Sequence, residues 1–399
     1  MRPISILYKD FGRKFQDSQP SSEMPAFFTD LNLDQVVQSI VSGKEQYNLC
    51  PFFYQSPVDL ESIFYRHQVF RDLESESLTK QVKYFAAKMQ HIREELAEME
   101  RIRFIHQKQR FFLDVVEEYC HAVAGLLKDL YAAHSESAGL VHFGEYLEGY
   151  IKSAGFVYLT EELEEINSSL SEIQYNILID GLRVQVTPYN GEPDYSAEVE
   201  KTFAKFKQGE PKNYLSRLPN NLILNSVEEQ VLAGVAQLFP GIFRRLDSFY
   251  RNNLVFMEDQ IVVFDREVQF YISVSDHLKK FSDSGLSFCL PVVSSTKEHI
   301  FNKESFDLAL ANNLLSEGEK IVTNDFFLKG GERIFVVSGP NQGGKTTFAR
   351  TFGQVHYLAG LGCPVPGSSA RLFHYDRLYT HFEREENMKN LRGKLKDEL

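Results

Sequence analysis

The 399-residue sequence has no tryptophan and only four cysteines, Cys50, Cys120, Cys289 and Cys363. The cysteines stand 70, 169 and 74 positions apart, with no C-x-x-C pair. That spacing excludes a zinc ribbon and a disulfide framework, and a reducing, cytoplasmic setting is expected. No run of 18 apolar residues occurs, and the opening MRPISILYKDF lacks an apolar stretch of signal-peptide length. Neither a membrane span nor a secretory leader is expected, so the chain reads as soluble with no membrane partner. G-x-S-x-G and H-E-x-x-H are also missing, which removes serine-hydrolase and metalloprotease readings. A basic surplus is lacking too: the formal net charge is −12. A broadly basic nucleic-acid surface is thereby excluded, and contact with DNA would need small local clusters. The deficit is uneven. Residues 301–399 hold 13 Lys and Arg against 12 Asp and Glu, leaving 30 against 43 in the first 300.

Proline is absent for 130 residues between Pro57 and Pro188. A gap of that length favours long helices, because proline would remove an N–H and clash with the preceding turn. Within it Val82, Phe85, Met89, Ile92, Leu96 and Met99 recur at spacings of 3 and 4, with charges between them. This is a seam too short for a free coiled coil, so a helix packed in a bundle is expected. A single helix over 78–134 would extend roughly 85 Å, with a break expected near Gln107–Arg110. Ile177 to Ile179 and Leu182 to Val186 flank Asp180-Gly181, the dipeptide of a two-residue hairpin. A small β insertion is expected over about 176–222, punctuated by Pro188, Pro193, Pro211 and Pro219. Helix returns from Ser226, interrupted at LVFMEDQIVVF.

Near the end, ERIFVVSGPNQGGKTTFARTFGQVHYLAGLG reads as a buried strand, Ile334 to Val337, a glycine loop, and a helix stopped by Gly360 and Gly362. The loop fits G-x-x-x-x-G-K-[ST]. Glycines at these positions let successive N–H groups turn inward as an anion nest, and the helix N-terminus adds positive field. Lys345 would reach the β- and γ-phosphates of ATP, and the Thr346 hydroxyl would ligate Mg²⁺. Weaker constellations stand beside it. The stripe RIRFIHQKQR, Arg101 to Arg110, could contact phosphate, but a solvated helix face balancing Glu94 to Glu100 is the preferred reading. His374, Asp376 and His381 match no metal spacing, and Asp265, Arg266 and Glu267 read as surface pairs on a helix.

The loop residues Gly339, Pro340, Asn341, Gln342, Gly343, Gly344, Lys345, Thr346 and Thr347, followed by Phe348, resemble the ATPase loop of the MutS family of DNA mismatch-repair ATPases. The segments IVTNDFFLKGGERIFVVSGPN before it and GCPVPGSSARLFHYDRLYTHFEREEN after it are similar to that family as well, and PVDLESIFYRHQVFRDL resembles the start of its core helices. The fold class implied is a mainly α helical lever/core bundle with a small β insertion, followed by a partial α/β P-loop ATPase domain. The segments would be an N-terminal 1–35, a core and lever domain 36–300, and the beginning of the ATPase domain from 301 to 399. The resemblance implies ATP and Mg²⁺ as cofactors, a homodimer, and branched or mismatched duplex DNA as partner. Ile321 and Val322 would line the adenine pocket. Lys201, Lys205, Lys207, Lys212 and Arg217, in the insertion where the family's clamp touches the DNA backbone, would contact phosphates. The family's Phe-x-Glu wedge has one match, Phe143-Gly144-Glu145, which lies amid helical sequence and reads as core. The family's second acidic motif would follow residue 399, so the chain is expected to be a fragment that hydrolyses ATP slowly or not at all. No catalytic residue is assigned. Two alternatives stay open: an arm-bearing ATPase of the SMC or ABC kind, whose L-S-G-G signature is missing here, and a non-catalytic dimer scaffold using nucleotide structurally.

Overall fold

The computed structural model describes residues 4–9, 23–55, 58–181, 183–192, 224–296, 299–340 and 343–382. Helices dominate, accompanied by small sheets. Two compact units are each discontinuous in sequence. Met1–Lys83, Leu130–Gly144 and Asp259–Leu399 make the first; Tyr84–Asp129 and Glu145–Glu258 make the second. No described helix is long and apolar enough to cross a membrane.

The first unit opens with short helices α1 (Phe27–Asp30), α2 (Leu33–Val41) and α3 (Cys50–Phe53), then α4 (Leu60–Asp72). Asp59 caps α4 by accepting from the Ser62 amide, which satisfies one of the orphan donors of a helix start. The second unit is built on α5 (Glu76–Met99) and α6 (Ile105–Ala132), whose ends reach into the first, with α7 (Ala138–Ile151) and α8 (Ala154–Ser171) following. Of the seam residues, Val82, Phe85, Met89, Ile92 and Met99 are buried and Leu96 is half-buried. The break falls at residues 100–104, earlier than Gln107–Arg110, because Ile102 closes a tight turn onto the Met99 carbonyl. Lys88 and Glu118 form an ion pair across the break, so α5 and α6 run antiparallel as a helical hairpin. Phe112 of α6 packs edge-on against Tyr250 and Phe256, and buried Gln109 donates to Asp247 at 2.7 Å.

The Asp180-Gly181 hairpin is present. Strands β1 (Tyr175–Asp180) and β2 (Arg183–Pro188) pair antiparallel with Ile177 opposite Val186, and Gly181 takes φ +59°. The rest of the predicted insertion, 193–223, lies outside the described residues. Helix α9 (Ser226–Leu238) starts at a capping box between Asn225 and Glu228. Its Gly234 lets β2 approach: a Cβ there would meet Val186 Cγ2 at 2.9 Å. After α10 (Pro240–Asn252) the expected interruption is confined to residues 253–258, and Ile261 to Phe264 belong to α11 (Asp259–Ser282).

Helix α11 is the spine of the first unit, and it corrects one expectation. Asp265 and Glu267 are buried, not surface pairs, while Arg266 donates to the Tyr47 and Asn48 carbonyls and lies 4.6 Å over the Phe52 ring. Glu267 accepts from Ser5 Oγ and the Ile6 amide, both at 2.7 Å, which fixes the segment 4–9. Phe143 stacks on Phe264 at 3.7 Å, which places the phenylalanine of the Phe-x-Glu match in the core, while Glu145 is exposed. Strands β3 (Phe288–Cys289), β4 (Val292–Ser294) and β5 (Ile300–Ser305) lead to α12 (Leu308–Glu317) and β6 (Asn324–Leu328); α13 (Lys345–Gly360), β7 (Val365–Pro366) and β8 (Ser369–Phe373) follow. The larger sheet has order β4-β8-β5-β6, with β4 and β8 parallel and the other pairs antiparallel.

The expected buried strand Ile334 to Val337 is not formed. Residues 332–340 make no ladder with any described strand, and Ile334 and Val336 are 79% and 89% exposed. A strand exists only by pairing, and a four-residue apolar run acquires neither ladder nor burial from its own composition. Phe335 alone faces inward, 5.5 Å from Phe352 of α13.

Three buried histidines oppose one buried glutamate in the first unit's response to pH. Burial pushes His67, His277 and His356 down to about 4 from 6.5, and pushes Glu267 up to about 7 from 4.5. Between those values each histidine is protonated in the unfolded chain and neutral in the fold, which costs stability as pH falls. Glu267 keeps its proton in the fold and loses it when unfolded, so its contribution falls as pH rises. Each shift is worth about 3 kcal/mol at full effect, and three outweigh one. The urea midpoint is therefore expected to climb from pH 4.5 to 6.5; a flat or falling midpoint would show that the histidines are not held neutral.

Candidate functional site

The glycine loop sits at the N-terminus of α13, and that helix is fixed by residues far away in sequence. Gln354 is fully buried and joins three segments: its Nε2 donates to the Leu31 carbonyl and to Asp307 Oδ1, and its Oε1 accepts from the Leu308 amide, all at 2.8 Å. Asp307 also caps α12, accepting from Ala309 and Leu310. Arg350 Nε donates to the Asp30 carbonyl at 3.0 Å, and the Tyr357 hydroxyl donates to the Phe53 carbonyl. At the far end buried Arg66 donates through Nη1 to the Leu361 carbonyl at 2.7 Å and through Nε to the Leu7 carbonyl at 3.0 Å. Leu31 packs so closely on Gly353 that a Cβ there would lie 2.6 Å from Leu31 Cδ2.

Within the loop, Gly344 takes φ +79° directly before the first helical residue, a conformation glycine adopts without a Cβ clash. Gly343 closes a turn onto the Pro340 carbonyl at 3.1 Å, and a Cβ on it would meet that oxygen at 3.0 Å. The Lys345 ammonium folds back over the turn, donating to the carbonyls of Gly339 and Pro340 at 2.7 and 2.8 Å. Thr346 is exposed on the first turn of α13 and Thr347 half-buried beside it. The loop thus gathers a cation, open helix-start amides and an exposed hydroxyl, a donor set suited to an anion carrying a hard cation.

The expected site residues fare differently. Gly339, Pro340, Gly343, Gly344, Lys345, Thr346 and Thr347 are brought together; Asn341 and Gln342 lie outside the described residues. Ile321 and Val322 precede β6 in irregular backbone instead of a strand, with Val322 71% exposed. Lys201, Lys205, Lys207, Lys212 and Arg217 fall outside the described residues. In the Arg101–Arg110 stripe, Lys108 pairs with Glu100 and Arg110 with Asp114. His374 spends Nε2 on the Val58 carbonyl at 2.8 Å.

Comparison with known proteins bears on which loop this is. Over 299 residues, 70% of this chain and 34% of the relative, it is 23% identical to the DNA mismatch repair protein MutS of Ehrlichia ruminantium. Over 75 residues, 19% of this chain and 8% of the relative, it is 37% identical to that of Erythrobacter litoralis. The Endonuclease MutS2 of Gemmatimonas aurantiaca is 38% identical over 76 residues, 19% of this chain and 9% of the relative. No family model matches. The similarity these comparisons show is to the MutS family. The chain spans no more than about a third of the length of these relatives.

The helix anchors Arg66, Asp307, Arg350 and Gln354 were missed by sequence reasoning, since each acts through a partner dozens to hundreds of positions away. A buried arginine in IFYRHQ and a glutamine in TFGQVH carry no local signal. Gln354→Leu would strand the Leu31 carbonyl and the Leu308 amide, while Asp307 Oδ1 keeps its bonds from the Ala309 and Leu310 amides. A loss of about 2–4 kcal/mol is expected in urea unfolding; a change under 0.5 kcal/mol would show that these bonds do not position the helix.

Proposed function

We propose that this chain is an ATP-dependent DNA-binding protein of DNA repair, taking ATP with Mg²⁺ in the loop 339–347 and acting as a homodimer. The observation that carries the reading is the Lys345 ammonium, held on two loop carbonyls at the start of a rigidly anchored helix. Its charge is already at the loop mouth, where the β- and γ-phosphates would sit. Lys345 would exchange the two carbonyls for phosphate oxygens, and the amides at the start of α13 would donate to the same anion. The Thr346 hydroxyl would hold Mg²⁺, and Asn341 would lie on the phosphate or metal side. Ile321 and Val322 would give the adenine its apolar contact. When bound, ATP supplies a γ-phosphoryl group whose hydrolysis drives exchange between conformations.

DNA contact is assigned to Lys201, Lys205, Lys207, Lys212 and Arg217 of the insertion. With an overall charge of −12, association depends on few phosphate contacts and weakens with salt in proportion to their number. The segments 36–300 and 301–399 would then serve as DNA-holding core and nucleotide head.

Two measurements test this reading. Lys345→Ala should abolish binding of a fluorescent ATP analogue while leaving the urea midpoint near wild type, because this side chain is only half-buried. Retained affinity would place the nucleotide elsewhere. Replacing Lys201, Lys205 and Lys207 together by alanine should weaken binding to every duplex sequence. It should also flatten the plot of log affinity against log salt by up to about 0.9 for each phosphate no longer neutralised; an unchanged slope would remove the insertion from the DNA interface.

A further inference from the structure

The second unit holds a cluster that the nucleotide and DNA readings leave unused. On α5, His91 and Glu95 stand one helical turn apart, with His91 Nε2 3.6 Å from Glu95 Oε1. Glu118 of the antiparallel helix α6 faces them, and one ligand atom from each of the three lies within 4.8 Å of the others. A cleft of about 350 Å³ opens beside Glu118, lined by Tyr84, Lys88, Asp114, Glu117 and His121. His91 is half exposed, so the imidazole is reachable from solvent, while both carboxylates are mostly covered.

Two carboxylates brought together between packed helices need a proton or a cation to offset their repulsion. Lys88 bonds one oxygen of Glu118 at 2.8 Å, which orients that carboxylate. An imidazole and a carboxylate at i and i+4, completed by a carboxylate from a facing helix, is a ligand set that helical pairs use to hold metal ions. One nitrogen and two oxygens suit a borderline divalent ion of the first transition row over calcium or magnesium.

We propose that His91, Glu95 and Glu118 bind a divalent transition-metal ion such as Zn²⁺ or Mn²⁺, cross-linking α5 to α6. The ion's charge offsets the two facing carboxylates, and water completes its shell. Because the ligands come from both arms of the hairpin, binding resists their separation.

The test uses the whole chain titrated with CoCl₂, followed by visible absorption, with ZnCl₂ as competitor. One Co²⁺ per chain should give bands that Zn²⁺ abolishes, and Zn²⁺ should raise the thermal midpoint. Removing even a group that only orients a ligand typically weakens metal binding 10–100-fold, so His91→Ala and Glu118→Gln should each weaken Co²⁺ binding at least tenfold. Metal-free circular dichroism and melting of His91→Ala should match the wild type, since that side chain is 53% exposed. No absorption up to millimolar Co²⁺, or equal affinity in both variants, would overturn the site.

Discussion

The loop depends on how α13 is held, and Gln354 does most of that holding. One buried amide closes three hydrogen bonds, to the Leu31 carbonyl, the Asp307 carboxylate and the Leu308 amide. The Leu31 and Leu308 partners are buried, so losing those bonds would leave a buried carbonyl and amide unsatisfied at the full desolvation penalty. Arg350 and Tyr357 repeat the pattern one turn to either side, using carbonyls from α1 and α3. The helix start is therefore positioned by the N-terminal hundred residues more than by the loop. A phosphate cradle of backbone amides has fixed direction only if its helix cannot roll, and these contacts prevent rolling.

What the sequence made legible was local. The 3–4 seam on α5, the Asp-Gly hairpin and the glycine loop ahead of α13 are patterns within one turn or one ladder, and all are present. The reading failed where a segment's state is set by remote partners. Ile334 to Val337 has the composition of a buried strand, yet no described strand pairs with it. Asp265 and Glu267 look like surface charges, but the first unit folds its N-terminal segment over Glu267. Hydrogen-bonding the Ser5 hydroxyl and Ile6 amide makes an acid useful inside a core, and periodicity cannot reveal that. The candidate site divides in the same way: the loop was readable by motif, whereas the residues that fix its helix were not. The resemblance to the MutS family was read from the loop residues and their flanks.

Arginine serves the first unit in a manner lysine could not. Arg66 is fully buried and donates in two directions, to Leu7 and Leu361, while its plane lies over the Tyr8 and Phe270 rings. A rigid fork of five donors can satisfy two carbonyls and stack at once. The end of α13 and the segment 4–9 are thus joined through one guanidinium. A lysine there would present a point charge without the fork or the stacking face.

The segment 332–340 gives the loop a different mechanical standing on each side. Toward the helix, Gly344 passes directly into α13, with Phe348 donating back to its carbonyl at 2.9 Å. Toward the strand, one aromatic face holds the chain, Phe335 against Phe326, Phe348 and Phe352. Lys345 braces these unequal halves by donating from the helix start to the carbonyls of Gly339 and Pro340. Two of the three ammonium donors are spent on these carbonyls, so an anion that takes more than the third displaces one of them and loosens the tie to the segment. Because the helix side is fixed by Gln354 and Arg350, the displacement is borne by the segment, whose backbone has no ladder to resist it.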